Sequence, residues 1–197
     1  VLPRQLPRIT VEVPVIGVGS GPSDYESLGR YAAGLRKPQG LHLTLLHIGI
    51  VEDFAREVSD WTKGMTTPDE AGRRTVAWLR GLPVLPGFMG MSERLVVLGG
   101  GRVYGLEVEV PRTVHDFHVS LVEGLHGLLH ELLVDDIDDF ILGSLALGYR
   151  TPRWLPHVAV GRPKSRDAGA WEIEPLDIEF GESRIRHADS LPDFGAG

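Results

Sequence analysis

Cysteine is absent from the 197-residue chain, which excludes disulfides, thiolate zinc sites and a cysteine nucleophile. No uncharged apolar run approaches the roughly 20 residues that a helical membrane span needs. The first eighteen residues contain Pro3, Pro7 and Pro14 with Arg4 and Arg8, and they lack the apolar core and cleavage site of a secretory signal. A cytoplasmic protein without membrane contact is the expectation. An excess of basic residues is missing too: 20 Lys and Arg face 27 Asp and Glu, a formal charge of −7. That balance argues against coating an extended duplex nucleic acid, which takes a basic field. It leaves room for a small or single-stranded phosphate ligand in a local pocket. Clustered metal-ligand motifs are also lacking, so no cofactor is expected. What the chain does have is 42% hydrophobic and 24% charged residues, the balance of an ordinary globular protein, in a length able to bury a core.

Residues 9–17 alternate β-branched side chains and read as a strand, followed by a turn-rich stretch from Gly17 to Pro22. Ser23 and Glu26 form a capping box ahead of Leu28, Tyr31, Ala32 and Leu35 at helical spacing. Residues 41–50 are the most strand-like run. Phe54, Val58 and Trp61 mark an amphipathic helix over 52–63. Thr67, Pro68 and Glu70 supply an N-cap, an N1 proline and an N3 acid for the next helix. Strands are expected at 84–89, 94–98 and 102–110, the last two joined by Gly99-Gly100-Gly101. A long helix over 112–134 follows from Val114, Phe117, Leu121, Leu125, Leu128 and Leu132. Further strands are expected at 140–149, 155–160 and 171–185, and a loose tail from Ala188. Strands and helices mix without a βαβ rhythm, so an α+β fold with mostly antiparallel sheets is predicted.

Three segments share a histidine, then a small or hydroxyl residue two positions on: His42-Leu43-Thr44, His118-Val119-Ser120 and His157-Val158-Ala159. Secondary structure sorts them. In a strand, residues i and i+2 share a face and can grip one phosphate together. In a helix they lie about 200° apart and cannot meet. His118 falls within the long helix, on its apolar side, with Ser120 facing away. It reads as a decoy. His42 and His157 fall in strands whose intervening residues Leu41, Leu43, Leu45, Val158 and Val160 face a core. A lone strand histidine is usually a hydrogen-bonded or surface residue; two in matching contexts favour a shared site.

The segment Leu41-His42-Leu43-Thr44-Leu45-Leu46-His47-Ile48-Gly49 resembles the first signature of the 2H phosphoesterase superfamily, and Pro156-His157-Val158-Ala159-Val160-Gly161-Arg162 resembles the second. The element order between them is similar as well, and the likeness spans about residues 9–185. The resemblance implies a bilobal α+β fold: two mostly antiparallel sheets around a central cleft, helices outside, a pseudo-two-fold axis, and one motif from each lobe. A single bilobal domain over residues 1–197 is the expectation. The resemblance also implies a metal-independent phosphodiesterase acting on 2′,3′-cyclic or 2′-5′ linked nucleotides, with nucleotide or short RNA as partner and a monomeric state. Related members act as 2′-5′ RNA ligases or cut signalling oligonucleotides. One position departs from the family pattern: Ala159 stands where Thr or Ser is usual. The lost hydroxyl is worth on the order of 1.5–3 kcal/mol unless Arg162, Arg150 or Tyr149 replaces it, and the alternative is a binding module without turnover.

Phosphodiester displacement needs a base, an acid on the opposite side of phosphorus, and donors for the phosphoryl oxygens. His42 and His157 would supply the first two, since imidazoles titrate at about 6.5, and Thr44 would hold an oxygen. Trp154 is a candidate for stacking a base and equally for packing the cleft wall. The 17–22 loop fails both the dinucleotide and the nucleophile-elbow patterns because Pro22 and Val18 occupy key positions. Asp135, Asp136, Asp138 and Asp139 read as a solvated acidic turn. His47 is expected on the face opposite His42, and His126 and His130, although four apart, have no obvious third ligand.

Overall fold

The computed structural model describes residues 5–19, 22–148 and 153–194. The α+β class and the antiparallel pairing are as expected. Eight strands are involved: β1 (Ile9–Val18), β2 (Ala32–Ala33), β3 (His42–Gly49), β4 (Phe88–Leu98), β5 (Val103–Glu109), β6 (His157–Pro163), β7 (Trp171–Phe180) and β8 (Arg184–Ile185). Six of them run β6-β3-β1-β7-β4-β5, and a further pairing of β5 with β6 closes the path into a ring. The two expected sheets are therefore continuous with each other. The short β2 extends β6, and β8 pairs with β1.

Five α-helices occur among the described residues: α1 (Pro22–Glu26), α2 (Val51–Trp61), α3 (Pro68–Arg80), α4 (Arg112–Glu131) and α5 (Ile137–Gly143). α2, α3, α4 and α5 pack on one another, with α2 and α4 also against β3. The start of α3 is as the sequence dictates, with the Glu70 amide donating to Thr67 Oγ1 at 3.2 Å. Burial of Val114, Leu121, Leu125, Leu128 and Leu129 fixes the inner face of α4. At the other end of the chain, Leu191 is buried and the Phe194 ring lies against Gly72 of α3, where a Cβ would stand 2.2 Å from it.

Three expectations need correction. The helix predicted after Ser23 shrinks to α1 and one 3-10 turn, because Ala32 and Ala33 leave it to pair with Pro163 and Arg162. The strands predicted at 84–89 and 94–98 become one strand, β4, carried through a register shift between Met91 and Arg94. The strand predicted at 140–149 is instead helix α5 and a loop. Phe140 packs edge-on against Phe54 and Trp61, and Glu57 holds the loop by accepting from the Leu145 and Ala146 amides at 3.0 and 3.1 Å. A short apolar run carries no periodicity that separates these two outcomes.

The core beneath the motifs is a transverse row. Val13 pairs with Leu43, Leu43 with Val158, and Val158 with Leu106, and all four side chains are fully buried. Alternation along each strand sends the flanking residues to the opposite face.

Candidate active site

That opposite face carries the motif residues. Antiparallel pairing through Leu43 and Val158 sets Thr44 next to His157 and His42 next to Ala159. His42 and His157 are thereby diagonal across the Leu43–Val158 pair, a relation in which backbones stand ~7–8 Å apart, within reach of long side chains. The row extends outward through Glu12 opposite Thr44, Glu107 opposite His157 and Gly105 opposite Ala159.

The two motifs follow the same stride. In β3 and in β6 the exposure pattern alternates for four residues and then shows two buried residues in succession, Leu45-Leu46 and Val160-Gly161. Register shifts opposite these pairs mark a bulge in each strand. The extra residue returns the third polar position to the histidine face. His47 therefore shares the face of His42, contrary to the sequence expectation, and lines one cavity with His42, Thr44 and Thr10. Arg162 holds the corresponding place in β6. Its guanidinium lies over Gly34, where a Cβ would stand 3.5 Å from Nε, and it makes no ion pair among the described residues.

Each histidine is oriented through Nδ1 by the carbonyl two residues earlier. His157 donates to Leu155 at 2.8 Å and His42, more loosely, to Gly40 at 3.4 Å. Protonated Nδ1 leaves Nε2 as the acceptor in the neutral ring. Burial lowers the His42 pKa from its ordinary value; Glu12 and the Gly40 carbonyl oppose this, and Arg186 and Arg36 add to it. The net direction favours neutral His42.

β3 and β6 pair directly at one residue couple, Leu43 and Val158. Beyond it the β3 carbonyls find other donors: Thr44 accepts from Trp154 Nε1 at 3.3 Å and Leu45 from His118 Nδ1 at 2.7 Å. The Val160 carbonyl, the counterpart of Leu45, accepts from the Arg36 amide at 2.8 Å. His118 is thus a buried joint between α4 and β3, as its helix placement predicts, and its pKa is lowered, chiefly by burial. The Trp154 ring stacks on His118 with centroids 4.3 Å apart, so that face is closed to a nucleobase. Tyr149 and Arg150 lie outside the described residues. Asp135 accepts from Trp61 Nε1, His126 stands 3.7 Å from Asp138, and no group of three metal-ligating side chains occurs among the described residues.

Sequence reasoning missed the most buried charge. Glu12 is 0% exposed, accepts from Thr10 Oγ1 at 2.9 Å and from Arg184 Nη2 at 3.0 Å, and has Arg186 Nε at 3.9 Å. The available signal was a carboxylate set among Val11, Val13 and Val15 in an otherwise apolar strand. Arg36 and Arg186 were missed as well, since neither lies in a motif.

No protein-family model and no curated protein sequence matches the chain. Among solved structures it is similar to TT0787 of Thermus thermophilus, at 19% identity and a TM-score of 0.42 over 91% of this chain and 84% of that one. It is also similar to E. coli LigT complexed with 3′-AMP, at 14% identity and a TM-score of 0.47 over 92% and 94% of the two chains. A third, described as a phosphoesterase, shares 14% identity and a TM-score of 0.43 over 90% and 93%. No helix among the described residues is long and apolar enough to cross a membrane.

Proposed function

We propose that this chain is a metal-independent phosphodiesterase that opens 2′,3′-cyclic or cuts 2′-5′ nucleotide phosphodiesters between His42 and His157. The observation that supports it is the paired register. Two imidazoles, each held through Nδ1 by a backbone carbonyl, sit diagonally across the Leu43–Val158 contact on one face. In-line displacement takes a base and an acid on opposite sides of phosphorus, and this diagonal supplies them. Neutral His42, favoured by burial, suits the base that takes a proton from the attacking oxygen on Nε2. His157 in its protonated form then gives one to the departing ester oxygen. Thr44 Oγ1 and the Arg162 guanidinium would hold non-bridging oxygens.

Turnover of 2′,3′-cyclic mononucleotides and of a 2′-5′ dinucleotide tests this directly. His42→Ala and His157→Ala should each lower kcat by about 10²–10⁴, and EDTA should leave the rate unchanged. Full activity in either variant would overturn the assignment. A second reading, a nucleotide-binding module without turnover, is favoured by one observation, Ala159 in place of a hydroxyl; tight binding with no product would select it.

A further inference from the structure

On the His42 side the cleft widens into a cavity of about 650 Å³, formed by β1, β3, the residues after β8 and the segment preceding β1. Its polar wall includes Thr10, His42, Thr44, His47, Arg8 and Arg186. In a chain of formal charge −7 this composition is unusual for its lack of acid. The other large cavities lined by described residues carry carboxylates throughout: Asp24, Glu172 and Glu174 in one, Asp53, Glu57 and Asp60 in a second, Glu93, Glu107 and Glu109 in a third. Glu12, next to this wall in β1, is wholly buried and turned toward Arg184 and Arg186.

The cation is also held in place. The Arg186 amide donates to the Thr10 carbonyl at 2.8 Å, and β8, immediately before it, pairs with Val11 and Glu12. Its side chain keeps about half its surface open, at 48%, with Nε 3.9 Å from the buried Glu12 carboxylate. A guanidinium anchored at its root and open at its fork is suited to a phosphate or carboxylate. Arg8 also borders the cavity that contains Asp53 and Asp60, which leaves Arg186 as the principal cation on this side.

We infer that the cavity beside His42 is a subsite for a second phosphoryl group of the substrate, bound chiefly by Arg186. The inference builds on the proposed diesterase. The preferred substrate is then a cyclic or 2′-5′ diester that carries an additional phosphate, rather than a bare cyclic mononucleotide.

Two measurements separate the subsite from the diesterase. The first is the ratio of kcat/KM for a 2′-5′ dinucleotide with a terminal phosphate to that for the same dinucleotide without it. The expected ratio is about tenfold or more in the parent and falls toward one in Arg186→Gln, each protein being compared with itself. The second is binding of inorganic pyrophosphate against inorganic phosphate by calorimetry, which requires no turnover. Pyrophosphate should bind at least about tenfold tighter, and Arg186→Gln, with an unchanged melting temperature, should lose that margin. Turnover with equal use of both dinucleotides overturns the subsite and leaves the diesterase standing. Absence of turnover with the pyrophosphate margin intact does the reverse.

Discussion

Replacing Ala159 with threonine would place a hydroxyl at the position in β6 that matches Thr44 in β3. The residue opposite on β5 is Gly105, which presents no side chain of its own, and a β-branched side chain suits a strand. A hydrogen bond to a charged group contributes ~1.5–3 kcal/mol, and each ~1.4 kcal/mol is a factor of ten in rate. The range is thus about tenfold to somewhat over a hundredfold in kcat/KM. Residue 159 is half-buried, so water competes for the phosphoryl oxygen and the lower end, about tenfold, is the expected gain. The assay is steady-state hydrolysis of a 2′,3′-cyclic mononucleotide by the parent, Ala159→Thr and Ala159→Val, with melting temperatures in parallel. Valine has the shape of threonine without the hydroxyl and should give no gain. Equal acceleration by both substitutions, or none from a well-folded threonine variant, would refute the view that a missing donor limits this site.

His118→Ala should lower stability by about 1–3 kcal/mol, the cost of leaving the buried Leu45 carbonyl without its donor, yet keep kcat/KM within a few-fold; loss of activity without loss of stability would return His118 to the site. Gly49→Ala should be strongly destabilising, because φ is +82° and the new Cβ would stand 2.1 Å from the Ala146 carbonyl oxygen; a melting temperature within a degree of the parent's would contradict that packing. His42 and His118 both have pKa values lowered in the folded state. Above the ordinary value of about 6.5 their contribution to stability is fully present, and it is lost as pH falls through the lowered values. Melting temperature should therefore drop on acidification below that point and drop less steeply in His118→Gln, while the acidic limb of kcat/KM should lie below pH 6.5 or so. Identical slopes in parent and variant would sink the assignment.

Much of this was legible in the chain. Alternation around His42 and His157 identified their strands, and the Val114–Leu121–Leu125–Leu128 spacing identified the helix that disqualified His118. The bulges were not legible. A period-two count assumes one residue per step, so the extra residue at Leu45-Leu46 moved His47 to the wrong face in the sequence reading. Glu12 escaped notice for a different reason: its partner Arg184 is 172 positions away, and no local pattern announces such a pairing. The stretch after Asp139 failed because a run of mixed apolar residues satisfies either period, and the aromatic contacts of Phe140 that decide it come from α2.

The shared stride of β3 and β6 bears on regiochemistry. A diester entering a cleft with identical halves could lie in either of two orientations, with equal energy, and each would expose a different ester bond to the base. The halves here are alike in backbone and unlike in side chain: Thr44 answers Ala159, His47 answers Arg162, and buried Glu12 answers Gly105. Each mismatch separates the two orientations in energy, so a difference of ~1.4 kcal/mol already favours one tenfold. In the proposed diesterase, the substitutions that spoil the symmetry of the fold are therefore the ones that would choose between a 2′- and a 3′-phosphate product.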